Sequence, residues 1–286
     1  MTKIDAKIRL CSHCKCKMAI SRQTCPHCGL PSFFPNVDLA NDPAERKKLR
    51  DKYVAALDDC NGKGTNEIAS HFEQACKRSK AVFALNVKKL HREIASITDI
   101  FETYYDLERL KNRTEDETGL DWARLRPQAE IELLGDHRNI DQIHYASLSL
   151  EGHFLEHYGD CVVTLSEPMI AHRASCFQGN TAVLYHQKRT FSELIRSGWE
   201  NRHEICVAAL ASQLDSGSTP ASFPAILVHP GTTSLEDRFV EVHVFGPMTV
   251  RTFESVCFNC KEQSTRVAAF VDAIIDKLNA NNVKVV

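Results

Sequence analysis

Two C-x-x-C pairs near the N-terminus have the residue type and spacing that zinc requires. They lie in the stretch CSHCKCKMAISRQTCPHCG, and their members are Cys11, Cys14, Cys25 and Cys28. Ten residues separate the pairs, which is enough for a short hairpin that brings four thiolates onto one tetrahedral ion. Because four thiolates complete the coordination of zinc, we expect a closed structural site that stabilises a small domain.

Other donors in the same stretch leave the ligand assignment partly open. Cys16 can replace Cys14 in a slipped register, and His13 and His27 are further nitrogen donors. The role of this domain also has two interpretations. It is either a folding staple or a ribbon that contacts nucleic acid or protein, and three basic residues favour the second: Lys15, Lys17 and Arg22.

The stretch EDRFVEVHVFGPMTV places an acid and an imidazole inside a hydrophobic strand pattern. With a period of two residues, Val240, Val242 and Val244 line one face of the strand. The opposite face carries Phe239, Glu241, His243 and Phe245. A solvated face has no need of two phenylalanines, so this face is expected to form the wall of a cleft, with Glu241 and His243 as candidate catalytic residues.

The elements around this strand predict an α+β domain over residues 119–286. Short runs rich in Val, Ile, Leu and Tyr alternate with helical patterns. The predicted strands are IHYASLSL, CVVTLS, TAVLYH, AILVH and VEVHVF. The predicted helices are FSELIRSGW, RHEICVAALASQL and STRVAAFVDAIIDKLN, and Gly179-Asn180 is a predicted turn.

The residues before this domain predict a zinc ribbon over 1–37 and a helical module over 38–118. Leu49, Tyr53 and Leu57 are spaced for one amphipathic helix, and Thr65 is placed to cap the next. A longer helix, in a helical hairpin or a coiled coil, is predicted by apolar residues at alternating steps of four and three: Phe83, Val87, Leu90, Ile94, Ile97, Phe101 and Tyr104. The pattern does not decide whether its partner lies in this chain or in another protein.

Bulk properties narrow the classes of function. The formal net charge is −2, so there is no global electrostatic reason to expect binding to nucleic acid or to a membrane. No stretch approaches the roughly 18 consecutive apolar residues of a membrane span, and the N-terminus lacks a secretion signal, so we expect a cytoplasmic protein. A phosphate-binding glycine loop, a nucleophile elbow and the H-E-x-x-H metal motif are all absent from the sequence.

Three stretches of the last domain together carry a resemblance to a known group. YGDCVVTLSEPMIAHRASCFQGNTA, FVEVHVFGPM and IHYASLSL resemble the C-terminal half of bacterial toxin-like domains related to ADP-ribosyltransferases. The resemblance covers about 110 residues between 140 and 260 and leaves out the ribbon and the helices. There are departures: His243 and Phe245 stand where that group has Gln and His, and QGNTA replaces a Gly-Asp-Ser turn.

The resemblance implies a set of site residues. The ADP-ribosyltransferase pattern has site residues on three strands, and Glu241 takes the place of the catalytic carboxylate on the third. His144 or Tyr145 and then Arg173 and Ser175 take the places that hold NAD. In this role a carboxylate stabilises the positive charge that develops when the nicotinamide–ribose bond breaks, Tyr145 stacks on nicotinamide, and Arg173 pairs with the pyrophosphate.

The implied function is an NAD-dependent transferase that modifies a nucleic acid or a protein, as a bacterial toxin or a phage-defence effector. The ribbon and the helical module would then recruit the acceptor, an antitoxin or another protein. The alternative is a non-enzymatic zinc-ribbon adaptor with a degenerate C-terminal domain, and the departures from the family pattern favour it.

Overall fold

The computed structural model describes residues 8–11, 14–19, 24–29, 34–96, 100–106, 122–134, 140–155, 158–188, 190–259 and 265–286. The protein is mixed α/β, with a mixed sheet and a cysteine-rich cluster at its N-terminal end. Among the described residues, no helix is long and apolar enough to cross a membrane.

The strands and helices follow one another in a mixed order along the chain. The strands are β1 (Ile8–Leu10), β2 (Lys17–Ala19), β3 (Lys80–Leu85), β4 (Ile143–Ser149), β5 (Cys161–Leu165), β6 (Ala174–Gln178), β7 (Arg196–Gly198), β8 (Val228–His229), β9 (Arg238–Phe245), β10 (Phe253–Phe258) and β11 (Lys284–Val285). The helices are α1 (Pro35–Ala40), α2 (Pro43–Gly62), α3 (Asn66–Lys77), α4 (Val87–Ala95), α5 (Trp122–Leu134), α6 (Glu167–Ile170), α7 (Thr181–Lys188), α8 (Arg202–Leu210), α9 (Phe223–Leu227) and α10 (Thr265–Ala280).

Strand β9 lies in the interior of the main sheet. The described part of that sheet has the order β11-β10-β5-β3-β4-β9-β6-β7, and β8 pairs with one end of β9. The β10–β11 pair is parallel, and the other pairs are antiparallel. Because β4 and β6 flank β9 over Glu241 and His243, these two residues are not on a solvated sheet edge.

Helices cover both faces of the sheet and bury both sets of β9 side chains. On one face, Val240, Val242 and Val244 belong to a large apolar core that includes residues of α2, α3 and α8. On the other face, Ile143, Phe177 and Phe245 belong to a second cluster, with residues of α5 and α7. The alternation predicted for β9 is confirmed, but the face that carries Glu241 lies under helices α5 and α7 over much of its length.

The prediction of a long helix from Phe83 to Tyr104 is wrong. Phe83 lies in β3, which pairs with β4 and β5 inside the main sheet. Helix α4 begins after Asn86, whose side chain accepts a hydrogen bond from the Lys89 amide at 2.8 Å, and it ends at Ala95. Ile97 lies outside the described residues, and Phe101 is not helical. Sheet pairing of β3 outweighed the heptad spacing, and the cap at Asn86 set the true start of the helix.

The boundary predicted near residue 118 does not separate two structural units. Strand β3, from the predicted helical module, is hydrogen-bonded between two strands of the predicted α+β domain. Apolar residues of α2 and α3 share one core cluster with α8. The helix predicted from Leu49 and Tyr53 is present as α2, and both side chains are buried, but it packs on the sheet domain.

Three short predictions in the last domain also need correction. TAVLYH is helix α7 and not a strand, because the Asn180 side chain caps it by accepting from the amides of Ala182 and Val183. FSELIRSGW contains strand β7 in place of a helix, and AILVH divides between α9 and β8. Short apolar runs in a sequence do not discriminate a strand from a helix, so the tertiary contacts of each segment decide which of the two it forms.

Candidate functional site

Glu241 is the centre of a buried polar cluster on the α5 side of the sheet. Its side chain is 2% exposed. One carboxylate oxygen, Oε1, accepts from Arg126 Nη1 at 3.1 Å. The other, Oε2, accepts from the Thr181 amide at 2.8 Å and the Thr181 hydroxyl at 2.6 Å, and lies 3.1 Å from His243 Nε2. The carboxylate is therefore fixed in one orientation by donors from three elements.

Arg126 is the cation of this cluster, and it lies on helix α5, which packs on the face of the sheet that carries Glu241. It is 8% exposed, and its Nη1 also donates to the Thr181 hydroxyl at 3.0 Å. Its guanidinium carbon lies 4.1 Å from the centroid of the Tyr145 ring, a cation–π contact. The Tyr145 hydroxyl in turn donates to Glu130 Oε1 at 2.8 Å. These contacts bind α5, β4, β9 and the start of α7 into one network.

The electrostatics of the cluster keep Glu241 ionised. Burial acts to raise the pKa of Glu241, but Arg126, His243 and Thr181 outweigh it and lower the pKa to about 2. Burial also acts to lower the pKa of Arg126, and the Glu241 carboxylate reverses this and raises it above its usual value. Glu130 behaves in the opposite way to Glu241, because burial raises its pKa. The two carboxyl groups therefore favour different protonation states.

A small cleft begins at Glu241 and extends along the sheet toward β3. Its volume is about 120 Å³, close to the roughly 150 Å³ of a cavity that takes one benzene ring. The polar lining includes Arg126, Tyr145, Ser147, Asn180 and Glu241. The apolar lining combines small aliphatic side chains with four aromatic ones: Phe83, Phe154, Tyr158 and Phe239. Tyr158 is 45% exposed, so the cleft reaches solvent at this point.

The structure brings together three of the six residues predicted for the catalytic and NAD-binding roles. Glu241 and Tyr145 line the cleft. His243 lies behind Glu241, fully buried, with its ring 5.0 Å from the Tyr145 ring and 4.3 Å from the Phe177 ring. Because Nε2 faces a carboxylate, the hydrogen is assigned to Nε2, and Nδ1 has no hydrogen-bond partner within the described chain.

The other three predicted residues lie away from the cleft. Arg173 donates to the backbone carbonyls of Met169, Phe245 and Pro247, so its guanidinium holds the end of β9. The Ser175 hydroxyl accepts from Asn36 at 3.0 Å and is fully buried. His144 is on the opposite face of β4 from Tyr145, as its alternation requires. Burial, with the nearby Arg173, lowers the pKa of His144 to about 4.

Sequence reasoning missed Arg126, Glu130, Asn180 and Thr181. A local signal existed for the first two, because Arg126 and Glu130 are four residues apart in WARLRPQAEIELL and therefore share one helix face. The signal for the other two was the turn QGNTA, which was predicted only as a turn. Gly179 in that turn has a φ of +80°, a conformation that glycine adopts without strain.

The four N-terminal cysteines lie close enough together to hold one metal ion. Their sulfur atoms are all within 4.8 Å of one another. The Cys11–Cys28 and Cys14–Cys25 sulfurs are 3.7 and 3.6 Å apart. A Zn–S bond of about 2.3 Å in a tetrahedron requires about 3.8 Å between sulfurs, so the donor set fits a structural zinc ion. Cys14, Cys16 and His27 also form a compact group, so Cys16 and His27 remain adjacent to the site, whereas His13 lies outside the described residues.

No protein-family model matches this chain, and a search of curated proteins finds no match either.

Proposed function

We propose that the protein is an ADP-ribosyltransferase that uses NAD as donor and modifies a macromolecular acceptor, either nucleic acid or protein. The observation that carries this proposal is the position of Glu241. It is an ionised carboxylate, held by Arg126 and Thr181, that lines a cleft with aromatic walls. The resemblance of its strand to the ADP-ribosyltransferase pattern supports the same assignment.

The chemistry follows from the charge and the surroundings of Glu241. When the bond between nicotinamide and ribose breaks, positive charge develops on the ribose ring. A carboxylate that is already ionised and fixed in a low-dielectric wall stabilises this charge without reorganising. The donors on Oε2, from Thr181 and His243, keep the carboxylate in place while the charge develops.

We infer the positions of the two ends of the NAD donor from the shape of the cleft. The aromatic side chains Phe83, Phe154 and Tyr158 offer surfaces on which a planar ring stacks, and the volume suits one ring. We place the nicotinamide ring there. The phosphates then lie outside the cavity, and Arg126, which is buried and paired with Glu241, does not take the phosphate role that the resemblance implied for Arg173.

The remaining elements supply recruitment in this proposal. Lys15 and Lys17 of the ribbon are exposed, and the ribbon meets the main domain at a solvated Lys15–Glu200 pair of 3.2 Å. Such pairs contribute little stability, which leaves the ribbon available for an acceptor or a neutralising protein partner. The biology proposed is that of a cytoplasmic toxin or phage-defence effector.

The test is transfer of label from NAD. The purified protein is incubated with NAD labelled in the adenylate part and with total RNA, DNA or protein as acceptor. Label transfer is expected for the wild type and is lost in Glu241→Gln and reduced in Arg126→Lys. Glu254→Gln serves as the matched control, because Glu254 forms a partly exposed pair with Lys80 far along the sheet order from β9. Each variant is first checked for a native circular dichroism spectrum.

The adaptor is the second candidate, and one observation favours it. Both oxygens of Glu241 are already engaged by protein donors, as in a buried ion pair that serves only the fold. If the wild type neither binds NAD nor transfers label to any of the three acceptor pools, the enzyme proposal is rejected and the adaptor is retained.

A further inference from the structure

Glu130 is a second buried carboxyl group in the Glu241 cluster, and the proposed chemistry does not use it. It lies one turn after Arg126 on α5 and is 0% exposed. Its Oε1 accepts the Tyr145 hydroxyl at 2.8 Å. Its Oε2 is buried and has no hydrogen-bond partner among the residues that the structure describes. An acid in this setting requires an explanation.

Within the described part of the chain, no cation forms a direct ion pair with Glu130. The groups that face it are Arg126 on its own helix, Tyr145 on β4, Glu241 and His243 on β9, and Tyr105. Arg126 is four residues away on the same helix, yet its guanidinium contacts Glu241 at 3.1 Å. An ionised carboxylate with a bare buried oxygen is strongly unfavourable, whereas a neutral carboxyl group is much less so. The raised pKa of Glu130, caused first by burial, agrees with this argument.

We infer that Glu130 keeps its proton at neutral pH and acts as a positioning residue, which holds Tyr145 over the Arg126 guanidinium and leaves the charge of Arg126 to Glu241. The two carboxyl groups thus have separate roles. One is ionised and lines the cleft, and the other is neutral and supports the cleft wall from α5. The consequence for turnover rests on the proposed function, but the protonation state of Glu130 does not.

The contacts of Tyr145 explain why the neutral form of Glu130 is important for the arrangement of the cleft wall. The centroid of the Tyr145 ring is 4.1 Å from the Arg126 guanidinium carbon, and the Tyr145 hydroxyl donates a hydrogen bond to Glu130. If Glu130 lost its proton, a second anion would compete with Glu241 for Arg126. Glu241 would then lose part of the charge that holds it in place, and the cleft wall would lose its single arrangement.

The first experiment measures the proton directly. Infrared difference spectra are recorded at neutral pH for wild type minus Glu130→Gln, in water and in deuterium oxide. We expect a carbonyl band of a protonated carboxyl group that shifts in deuterium oxide. The matched control is wild type minus Glu132→Gln, since Glu132 lies on the same helix but is exposed to solvent. Tyr145→Phe, which removes the hydroxyl that contacts Oε1, should move the band.

The second experiment measures turnover of NAD against pH. Glu130→Ala should lower kcat by about tenfold or more, because Tyr145 and Arg126 lose their support. Glu130→Gln, which is neutral and of nearly the same shape, should recover most of that loss. Wild-type activity should fall at alkaline pH as Glu130 loses its proton, and this alkaline limb should be absent in Glu130→Gln.

Two outcomes overturn the inference. One is the absence of the protonated-carboxyl band from the wild type minus Glu130→Gln spectrum. The other is a Glu130→Gln enzyme that is folded but as impaired as Glu130→Ala, with the alkaline limb unchanged. If the wild type does not turn over NAD at all, the proposed function fails, while the infrared measurement still decides the protonation state of Glu130.

Discussion

Replacing Glu241 by glutamine removes the charge that pairs with Arg126 and changes the side-chain volume very little. Arg126 is then left as a buried cation, 8% exposed, without its carboxylate. Glutamine can still accept from the Thr181 amide through its carbonyl oxygen, so the main change is electrostatic. This substitution therefore tests whether the buried ion pair stabilises the fold.

Two independent routes give the same magnitude. Removing one partner of a buried ion pair costs about 3–5 kcal/mol, because the remaining charge is uncompensated. The pKa of Glu241 falls from 4.5 to about 2, and at about 1.4 kcal/mol for each pH unit this corresponds to roughly 3 kcal/mol in favour of the ionised form. We therefore expect Glu241→Gln to lower the free energy of unfolding by about 3 kcal/mol at neutral pH.

The pH dependence of this loss has a definite sign. The pKa of Glu241 is lower in the folded protein than in the unfolded chain, so its stabilising effect is complete above the ordinary value of 4.5. As the pH falls from 4.5 toward 2, the unfolded chain binds a proton that the folded protein does not, and the effect is lost. The difference between wild type and Glu241→Gln should shrink over this window.

The assay is urea denaturation followed by fluorescence of the two tryptophans, Trp122 and Trp199, at several pH values. Protonation of the four N-terminal cysteines and loss of any metal they bind affect both proteins alike and cancel in the difference. The control is Glu254→Gln, whose partner Lys80 is 3.0 Å away and whose side chain is 39% exposed, so a loss below about 1 kcal/mol is expected. A loss for Glu241→Gln below about 1 kcal/mol, or one that persists undiminished in acid, would refute the reasoning.

Three further predictions concern other parts of the molecule. Cys25→Ser should reduce bound zinc, measured by elemental analysis, from about one ion per chain to a small fraction. Cys257→Ser, at an exposed cysteine, is the control and should leave the zinc content unchanged. Equal zinc in both variants would exclude the four-thiolate site. The pKa of His144 is lowered from 6.5 to about 4, so the unfolded chain binds a proton first, and the wild type should lose roughly 3 kcal/mol of stability as the pH falls through that range. His144→Gln should not show this loss in urea denaturation, and parallel curves for the two proteins would contradict the assignment. Gly159→Ala should destabilise the fold by about 2 kcal/mol or more, because the φ of Gly159 is +146° and a Cβ would lie 2.2 Å from the Leu85 carbonyl carbon. Gly62→Ala, with open space around it, is the control. Equal urea midpoints for the two variants would count against the predicted clash.

The features that could be read from the sequence are those with a short-range physical cause. The C-x-x-C spacing predicts a four-sulfur cluster, because two turns of the chain bring the thiolates together, and the four sulfurs do lie within 4.8 Å. The alternation along β9 predicts that Glu241 and His243 share a face, and their side chains are 3.1 Å apart. Helix α2 follows from the spacing of Leu49 and Tyr53.

The sequence could not show which arginine pairs with the Glu241 carboxylate. Arg173 lies in the stretch that resembles the ADP-ribosyltransferase pattern, yet it holds backbone carbonyls at the end of β9. Arg126 lies outside that stretch and is 115 residues from Glu241 in the chain. Both residues are the same amino acid, so only the packing of α5 over the sheet decides which guanidinium reaches the carboxylate.

The sequence by itself predicted the cluster of four cysteines and the paired acid and imidazole on one strand, because both depend on spacing along a few residues of chain. Only the tertiary structure decided that β3 enters the sheet, that β9 is an interior strand, and that Arg126, Thr181 and Glu130 surround Glu241. The physical reason is that these contacts join distant segments. Strand order and the packing of helices across the sheet are set by the summed burial of many residues, and no local spacing encodes that sum.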